Sequence, residues 1–213
     1  MSDSIERYAP HFARPLEQVS ADLESYARLL KKWQAVQNLV SRETLEHVWT
    51  RHFADSLQIL PLLRESDHQF MDFGSGGGLP ALPLAIARKT SNQTFVLVEP
   101  NGRKVSFLRT VARELGLAMT VEGRRGEQID SRETPVPDVI TSRALAALPQ
   151  LCSWMAPFFG PNTRALLHKG REHVEELAEA GAQWHFDVLI VPSDTDPSGV
   201  ILELTNLRSK SVV

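Results

Sequence analysis

The residues best suited to chemistry lie between Met71 and Pro83, with the acidic Glu99 downstream. Met71-Asp-Phe-Gly-Ser-Gly-Gly-Gly-Leu-Pro80 puts glycines at 74, 76, 77 and 78 between a strand pattern and a helical one. Glycines let the backbone turn tightly and let a ligand come up against the main chain. Free amides at the start of the following helix suit a carboxylate or a phosphate. Pro80 and Pro83 fit that helix's first turn, where a missing N–H costs nothing. A dinucleotide fingerprint requires Gly-x-Gly-x-x-Gly/Ala. Counted from Gly74, the sixth residue is Leu79, which fails; counted from Gly76 it is Ala81, which passes weakly. Asp72 would repel a pyrophosphate, yet it suits the cationic amino-acid part of S-adenosylmethionine. The segment therefore favours S-adenosylmethionine over NAD. Glu99 ends the next strand pattern, where an acid can bind both hydroxyls of a ribose. Both cofactors contain that ribose, so Glu99 points to a nucleoside without choosing between them.

Three further segments follow strand patterns. In Arg124-Arg125-Gly126-Glu127 the amides can meet an adenine, and Gly126 permits close approach; an ordinary charged loop fits the spacing equally well. Arg143 ends Asp138-Val-Ile-Thr-Ser-Arg143. Ligands of open α/β sheets bind beyond the carboxyl ends of strands, so Arg143 is expected to face cofactor or substrate. The Ser142-Arg-Ala-Leu145 text lacks the Pro-Pro-aromatic loop of many enzymes that methylate exocyclic amines. Lys169-Gly-Arg171 suits a phosphate or a solvated basic turn. His52 and Asp55, three apart, share a helix face beside Arg51 and Ser56. With no third ligand evident, they read as a hydrogen-bonded contact to the rest of the molecule, not as a metal site.

The elements that position these residues fall into two textures. The first 68 residues read as helical. Leu16, Val19, Leu23, Tyr26, Leu30 and Trp33 recur at three and four, one face of a helix. Ser41 is set to cap a second helix carrying Leu45, Val48, Trp49, Phe53, Leu57 and Leu60, ended by Pro61. From residue 69, strand patterns at 69–73, 94–98, 119–121, 138–141 and 164–168 alternate with helical patterns at 80–88, 103–115, 148–155 and 171–180. Gly116 stands where a C′ glycine closes a helix. That alternation implies a parallel sheet covered on both faces. Two last strands, 184–191 and 200–205, are joined by a turn and must be antiparallel. The expected architecture is a Rossmann-like α/β fold of the class I S-adenosylmethionine-dependent methyltransferase type, residues 69–213, with an N-terminal helical extension, residues 1–68.

Composition narrows the class. A chain of 213 residues, 42% hydrophobic and 23% charged, fits one ordinary globular domain. A single cysteine, Cys152, excludes an internal disulfide and a cysteine-based zinc site. Met1 to Ala9 has no apolar run, and a membrane span needs roughly 20 apolar residues. A cytoplasmic monomer without metal or membrane contact is the expectation. The net charge of −3 does not advertise a nucleic-acid binder, although a local basic patch suffices for one.

The ordered segments resemble one family: the bacterial 16S ribosomal RNA guanine-N7 methyltransferases, also called the glucose-inhibited division protein B group. The matching text is Asn38-Leu-Val-Ser41, Arg51-His52 with Asp55-Ser56-Leu57, Asp72 to Leu84, Asn101-Gly-Arg-Lys104 with Phe107-Leu-Arg109, Ser142-Arg-Ala144 and His168-Lys-Gly170. Ala81 departs from the family's second glycine after the proline, and Gly126 from its common Ala or Val; both remain small. The resemblance implies that Gly74, Leu79, Gly126, Glu127 and Arg143 contact S-adenosylmethionine. It also implies methylation of a guanine in the 530 loop of 16S rRNA, on naked RNA or on the small subunit. Guanine N7 needs no general base, in keeping with a chain that shows no obvious acid–base pair. Arg143 is then the orienting residue, with Arg124, Arg125 and Lys169 as candidates for phosphate. The alternatives are an NAD-dependent oxidoreductase and a non-catalytic, cofactor-binding ribosome-assembly factor.

Overall fold

The computed structural model describes residues 3–35 and 37–210; Met1 and Ser2, part of the N-terminal reading above, lie outside them. Within these residues seven strands form one sheet: β1 (Gln69–Phe73), β2 (Thr94–Val98), β3 (Met119–Glu122), β4 (Val139–Arg143), β5 (Arg164–Lys169), β6 (Trp184–Pro192) and β7 (Val200–Ser209). Their order is β3-β2-β1-β4-β5-β7-β6. The pairs β3–β2, β2–β1, β1–β4 and β4–β5 are parallel, and β7 runs antiparallel to both β5 and β6. The order reverses between β1 and β4. That switch point opens a crevice at the carboxyl ends of the two strands.

Among the described residues eight α-helices accompany the sheet: α1 (Asp3–Glu6), α2 (Leu16–Gln34), α3 (Arg42–Leu45), α4 (Asp55–Leu57), α5 (Ala81–Ala87), α6 (Gly102–Leu115), α7 (Leu148–Met155) and α8 (His173–Gln183). Strand side chains alternate between two cores. Phe70, Phe95, Leu97, Val139 and Leu166 point to one face, against α2, α5 and α6. Met71, Phe73, Val98, Ile140 and Leu167 point to the other, against α7. The N-terminal segment shares the first core: Val19, Leu23, Tyr26, Leu30, Phe53 and Leu57 are all fully buried there. Asn101 caps α6, its Oδ1 accepting from Arg103 N at 3.0 Å and Lys104 N at 3.3 Å. Gly116 closes it in the left-handed region, φ +58°.

One expected element is different. The second N-terminal helix is broken into α3, a π-helical stretch at Trp49–Ala54, α4 and a 3₁₀ turn at Leu60–Leu62 that contains Pro61. Ser41 does cap its start, accepting from Thr44 N at 3.3 Å. Hydroxyls share two of its carbonyls with the backbone: Thr50 Oγ1 donates to His47 O at 3.2 Å, which also accepts from Arg51 N, and Ser56 Oγ to His52 O at 2.6 Å, which also accepts from Asp55 N. Wide turns of this kind are common at functional sites. This one sets both His52 and Asp55 against β4.

Candidate functional site

The glycine loop leaves β1 at the switch point. Gly74, Gly76 and Gly78 have φ of +68°, +54° and +91°, a region costly for residues with a Cβ. Three anchors hold the loop. Gly74 N and Ser75 N donate to Val98 O at 2.9 and 3.2 Å. Gly76 N donates to Glu99 Oε2 at 2.8 Å. The buried Tyr26 hydroxyl, reaching in from α2, donates to Gly77 O. Gln34, also on α2, accepts from Leu39 N at 2.8 Å and Val40 N at 3.2 Å, which fixes the facing wall.

Above the loop lies a trough of about 460 Å³, bounded by Gly74 to Gly77, Leu79, Glu99, Ser41, His52 and Arg143. Beside it is an apolar slot of about 120 Å³ between Phe73, Val98, Gly126, Glu127 and Trp154. Gly74 and Leu145 border both spaces. A Cβ on Gly126 would stand 2.8 Å from Phe73 Cε1, so the 126 position is held tight against the slot. A third, polar cavity of about 250 Å³ opens past Arg143, between Arg51, Asp55, His168, Thr195 and Asp196.

Several expected site residues occupy different roles from those the sequence suggests. Asp72 lies beneath the loop, 1% exposed, and does not line the trough. Its Oδ1 accepts from Thr141 Oγ1 at 2.6 Å, and its Oδ2 has no partner. Burial pushes its pKa up to about 7. Gly78 does not line the trough either; its missing Cβ makes room for Leu82. Glu99 faces the trough with both oxygens already accepting one backbone N–H, from Gly76 and, at 2.8 Å, from Asn101. Each oxygen keeps a second acceptor site. Lys169 is committed internally: its Nζ donates to Glu176 Oε2 at 2.6 Å and Ala146 O at 2.7 Å. Arg124 is paired with Glu122 at 2.9 Å and Glu133 at 3.1 Å, two acids that occupy its donors. Arg125 is exposed and borders the apolar slot.

Arg143 stands between the trough and the polar cavity. Its Nε is 2.9 Å from Asp55 Oδ2, and its Nη2 donates to Arg51 O at 2.9 Å and lies 3.2 Å from His52 Nδ1. Burial first, and the Arg143 charge next, pull the His52 pKa down to about 4, so the imidazole is neutral at physiological pH. Nδ1 then accepts from Arg143, and Nε2–H donates to Thr44 Oγ1 at 2.9 Å. Arg143 Nη1 is buried without a partner. The sequence carried no sign of Tyr26, Gln34, Leu145 or Trp154 at the site. Tyr26 reads only as one more apolar position of a helix face.

The raised Asp72 pKa has a signed consequence. Protonated Asp72 is favoured by the fold, so its contribution is full below about pH 4 and fades as pH rises through about 7. Asp72→Asn removes that dependence. Its melting temperature relative to wild type is expected to be more favourable at pH 8 than at pH 5. An equal difference at both values would contradict a buried, titrating Asp72.

The buried, unpartnered Asp72 Oδ2 and the glycine cradle fit a ligand with a cationic amino acid at one end and a nucleoside at the other. Fold and trough together define a class I S-adenosylmethionine-dependent methyltransferase. Solved structures share the fold at low identity. MtNAS bound to S-adenosylmethionine matches with TM-score 0.57 and 17% identity, over 88% of this chain and 76% of that one. The SAH-bound Podospora anserina methyltransferase PaMTH1 matches with TM-score 0.54 and 16% identity, over 88% and 96%. The family model for rRNA small subunit methyltransferase G (GidB) matches residues 19–197. The ribosomal RNA small subunit methyltransferase G of Bartonella tribocorum is 42% identical over 98% of this chain and 100% of its own. That of Rhodospirillum centenum is 43% identical over 89% and 85%. The chain belongs to the rRNA small subunit methyltransferase G family. Among the described residues there is no cluster able to hold a metal ion and no helix long and apolar enough to cross a membrane.

Proposed function

We propose that the chain methylates N7 of a guanine in 16S rRNA, in the 530 loop, using S-adenosylmethionine held over the glycine loop. The observation that carries this reading is a trough and an apolar slot that share Gly74 and Leu145 as borders, with a polar cavity on the other side of Arg143. When bound, S-adenosylmethionine supplies an electrophilic methyl group to N7, which carries a lone pair and no proton. The protein's task is therefore alignment, not proton transfer. Glu99 would accept from the ribose hydroxyls with its two remaining acceptor sites. Phe73, Gly126 and Trp154 would enclose the adenine, with Glu127 at the slot's edge. Gly74, Gly76 and Leu79 would face the amino-acid part, and Asp72 would balance its positive charge from below. Arg143 would orient the reacting groups from the far side.

The guanine would enter from the polar cavity at the carboxyl ends of β4 and β5. Arg51 at that cavity and Arg125 at the slot would meet RNA phosphates, and Lys169 would act by holding Glu176 and the 146 carbonyl in place. The N-terminal extension walls the cofactor trough with Leu39, Val40, Ser41, Thr44 and His52. A single chain then serves as the active unit, because every residue given a role at the cofactor above comes from it. The test is chemical. Small subunits from cells lacking the enzyme are incubated with protein and S-adenosylmethionine, then treated with borohydride and aniline, which cleave RNA at 7-methylguanine. One enzyme-dependent break in the 530 loop is expected. A labelled product that resists cleavage would refute N7 as the acceptor.

A further inference from the structure

Asp55 lies outside the trough, yet it joins four parts of the molecule. It sits at the end of the π-helical stretch with its side chain 14% exposed. Its Oδ2 takes Arg143 Nε at 2.9 Å, from the end of β4. Its Oδ1 accepts from Thr195 Oγ1 at 2.6 Å, in the β6–β7 turn, and from Gln58 Nε2 at 2.8 Å. Its backbone carbonyl accepts from His168 Nε2 at 2.7 Å, on β5. Bonds from three directions hold the carboxylate in one position.

That position decides how Arg143 points. A guanidinium is a rigid plane with five donors. Asp55 fixes the plane at Nε, while Arg51 O and His52 Nδ1 take Nη2. Nη1 is left buried and unpartnered between trough and polar cavity. We propose that Asp55 is a positioning residue for methyl transfer: it aims Arg143 and, through Thr195, makes the β6–β7 turn part of the same unit. This rests on the assignment of Arg143 to the site made above. Asp55 does not border the cofactor trough, and where it borders the polar cavity its two carboxylate oxygens are taken by Arg143, Thr195 and Gln58. Its influence on transfer therefore runs through the guanidinium it holds.

The test is a double-mutant cycle on the full chain, with Asp55→Asn, Arg143→Met and the pair. The readouts are Kd for S-adenosylhomocysteine and single-turnover methyl transfer to unmethylated small subunits. Each single variant should slow transfer at least tenfold. The pair should be no slower than Arg143→Met within threefold, because groups acting as one unit do not add. Multiplying losses would show that Asp55 merely supports the fold and would overturn the proposal. If Arg143→Met changed neither Kd nor transfer, the assignment of Arg143 would itself fail, and this inference with it. Asp55→Glu guards against an unfolded Asn variant. It keeps the charge, moves the carboxylate by one methylene, and should retain the melting transition while losing at least fivefold in transfer. Transfer by Asp55→Glu at the wild-type rate would also overturn the proposal.

Discussion

Gly74→Val is expected to weaken binding of S-adenosylmethionine on the order of 100-fold, about 2.7 kcal/mol. Gly74 has φ +68°, where a β-branched residue is a true outlier. Left-handed backbone alone costs a non-glycine residue about 1–2 kcal/mol. The added carbons would run into the Leu145 side chain and fill the junction between trough and slot. Calorimetry with S-adenosylhomocysteine measures the loss on protein shown to be folded. Gly181→Ala is the matching control: that glycine lies in α8, and a methyl group added there would meet nothing within 4 Å. It should leave affinity unchanged and raise stability by up to about 1 kcal/mol. Equal affinity in Gly74→Val and wild type would remove the glycine loop from the cofactor site.

The largest stability effect is expected far from the site. Arg164 opens β5 at the opposite end of the sheet and is 2% exposed. It pairs with Asp67 at 2.6 Å and Glu203 at 2.8 Å, and donates to Leu62 O at 3.1 Å. Arg164→Ala strands Asp67, only 3% exposed, and leaves Glu203 with Arg64 alone, at 3.4 Å. Removing one partner of a buried pair costs about 3–5 kcal/mol. At roughly 2–4 °C per kcal/mol for a chain of this size, the melting temperature should fall on the order of 10 °C. The triple variant Arg164→Met, Asp67→Asn, Glu203→Gln should lose less than the single one, because no charge is left unpaired. Methyl transfer per folded molecule should not change at permissive temperature. A single variant as stable as wild type would show that Arg164 contributes nothing through its charge.

These two residues also mark what a sequence does and does not reveal. The glycine loop is legible because its requirement is local: backbone turns tightly within five residues, and only glycine tolerates that. The strand and helix alternation, the Ser41 cap and the Gly116 stop are local in the same sense. The antiparallel last strands follow from a turn too short for a crossover. Arg164 reads as the first residue of a strand, and nothing nearby announces its burial. Its partners Asp67 and Glu203 are 97 and 39 residues away. Tyr26 reaches Gly77 across 51 residues. Such pairings exist only once the chain is folded. Lys169 shows the reverse error: a lysine after a strand suggests phosphate, but Glu176, carried back by the start of α8, takes its charge. The helix over 41–60 shows the same limit. Its apolar period is right, yet the chain widens into a π-helical stretch at Trp49–Ala54, which brings His52 and Asp55 to Arg143.

The central claim is that the trough over Gly74 to Gly77 delivers a methyl group to guanine N7. Its most direct test uses methyl-tritiated S-adenosylmethionine, purified protein and small subunits from cells lacking the enzyme, with the RNA digested to nucleosides and separated by mass. Label is expected to enter 7-methylguanosine and no other nucleoside, and Gly74→Val is expected to abolish it. Label in a different nucleoside, or none with cofactor demonstrably bound, would contradict that claim.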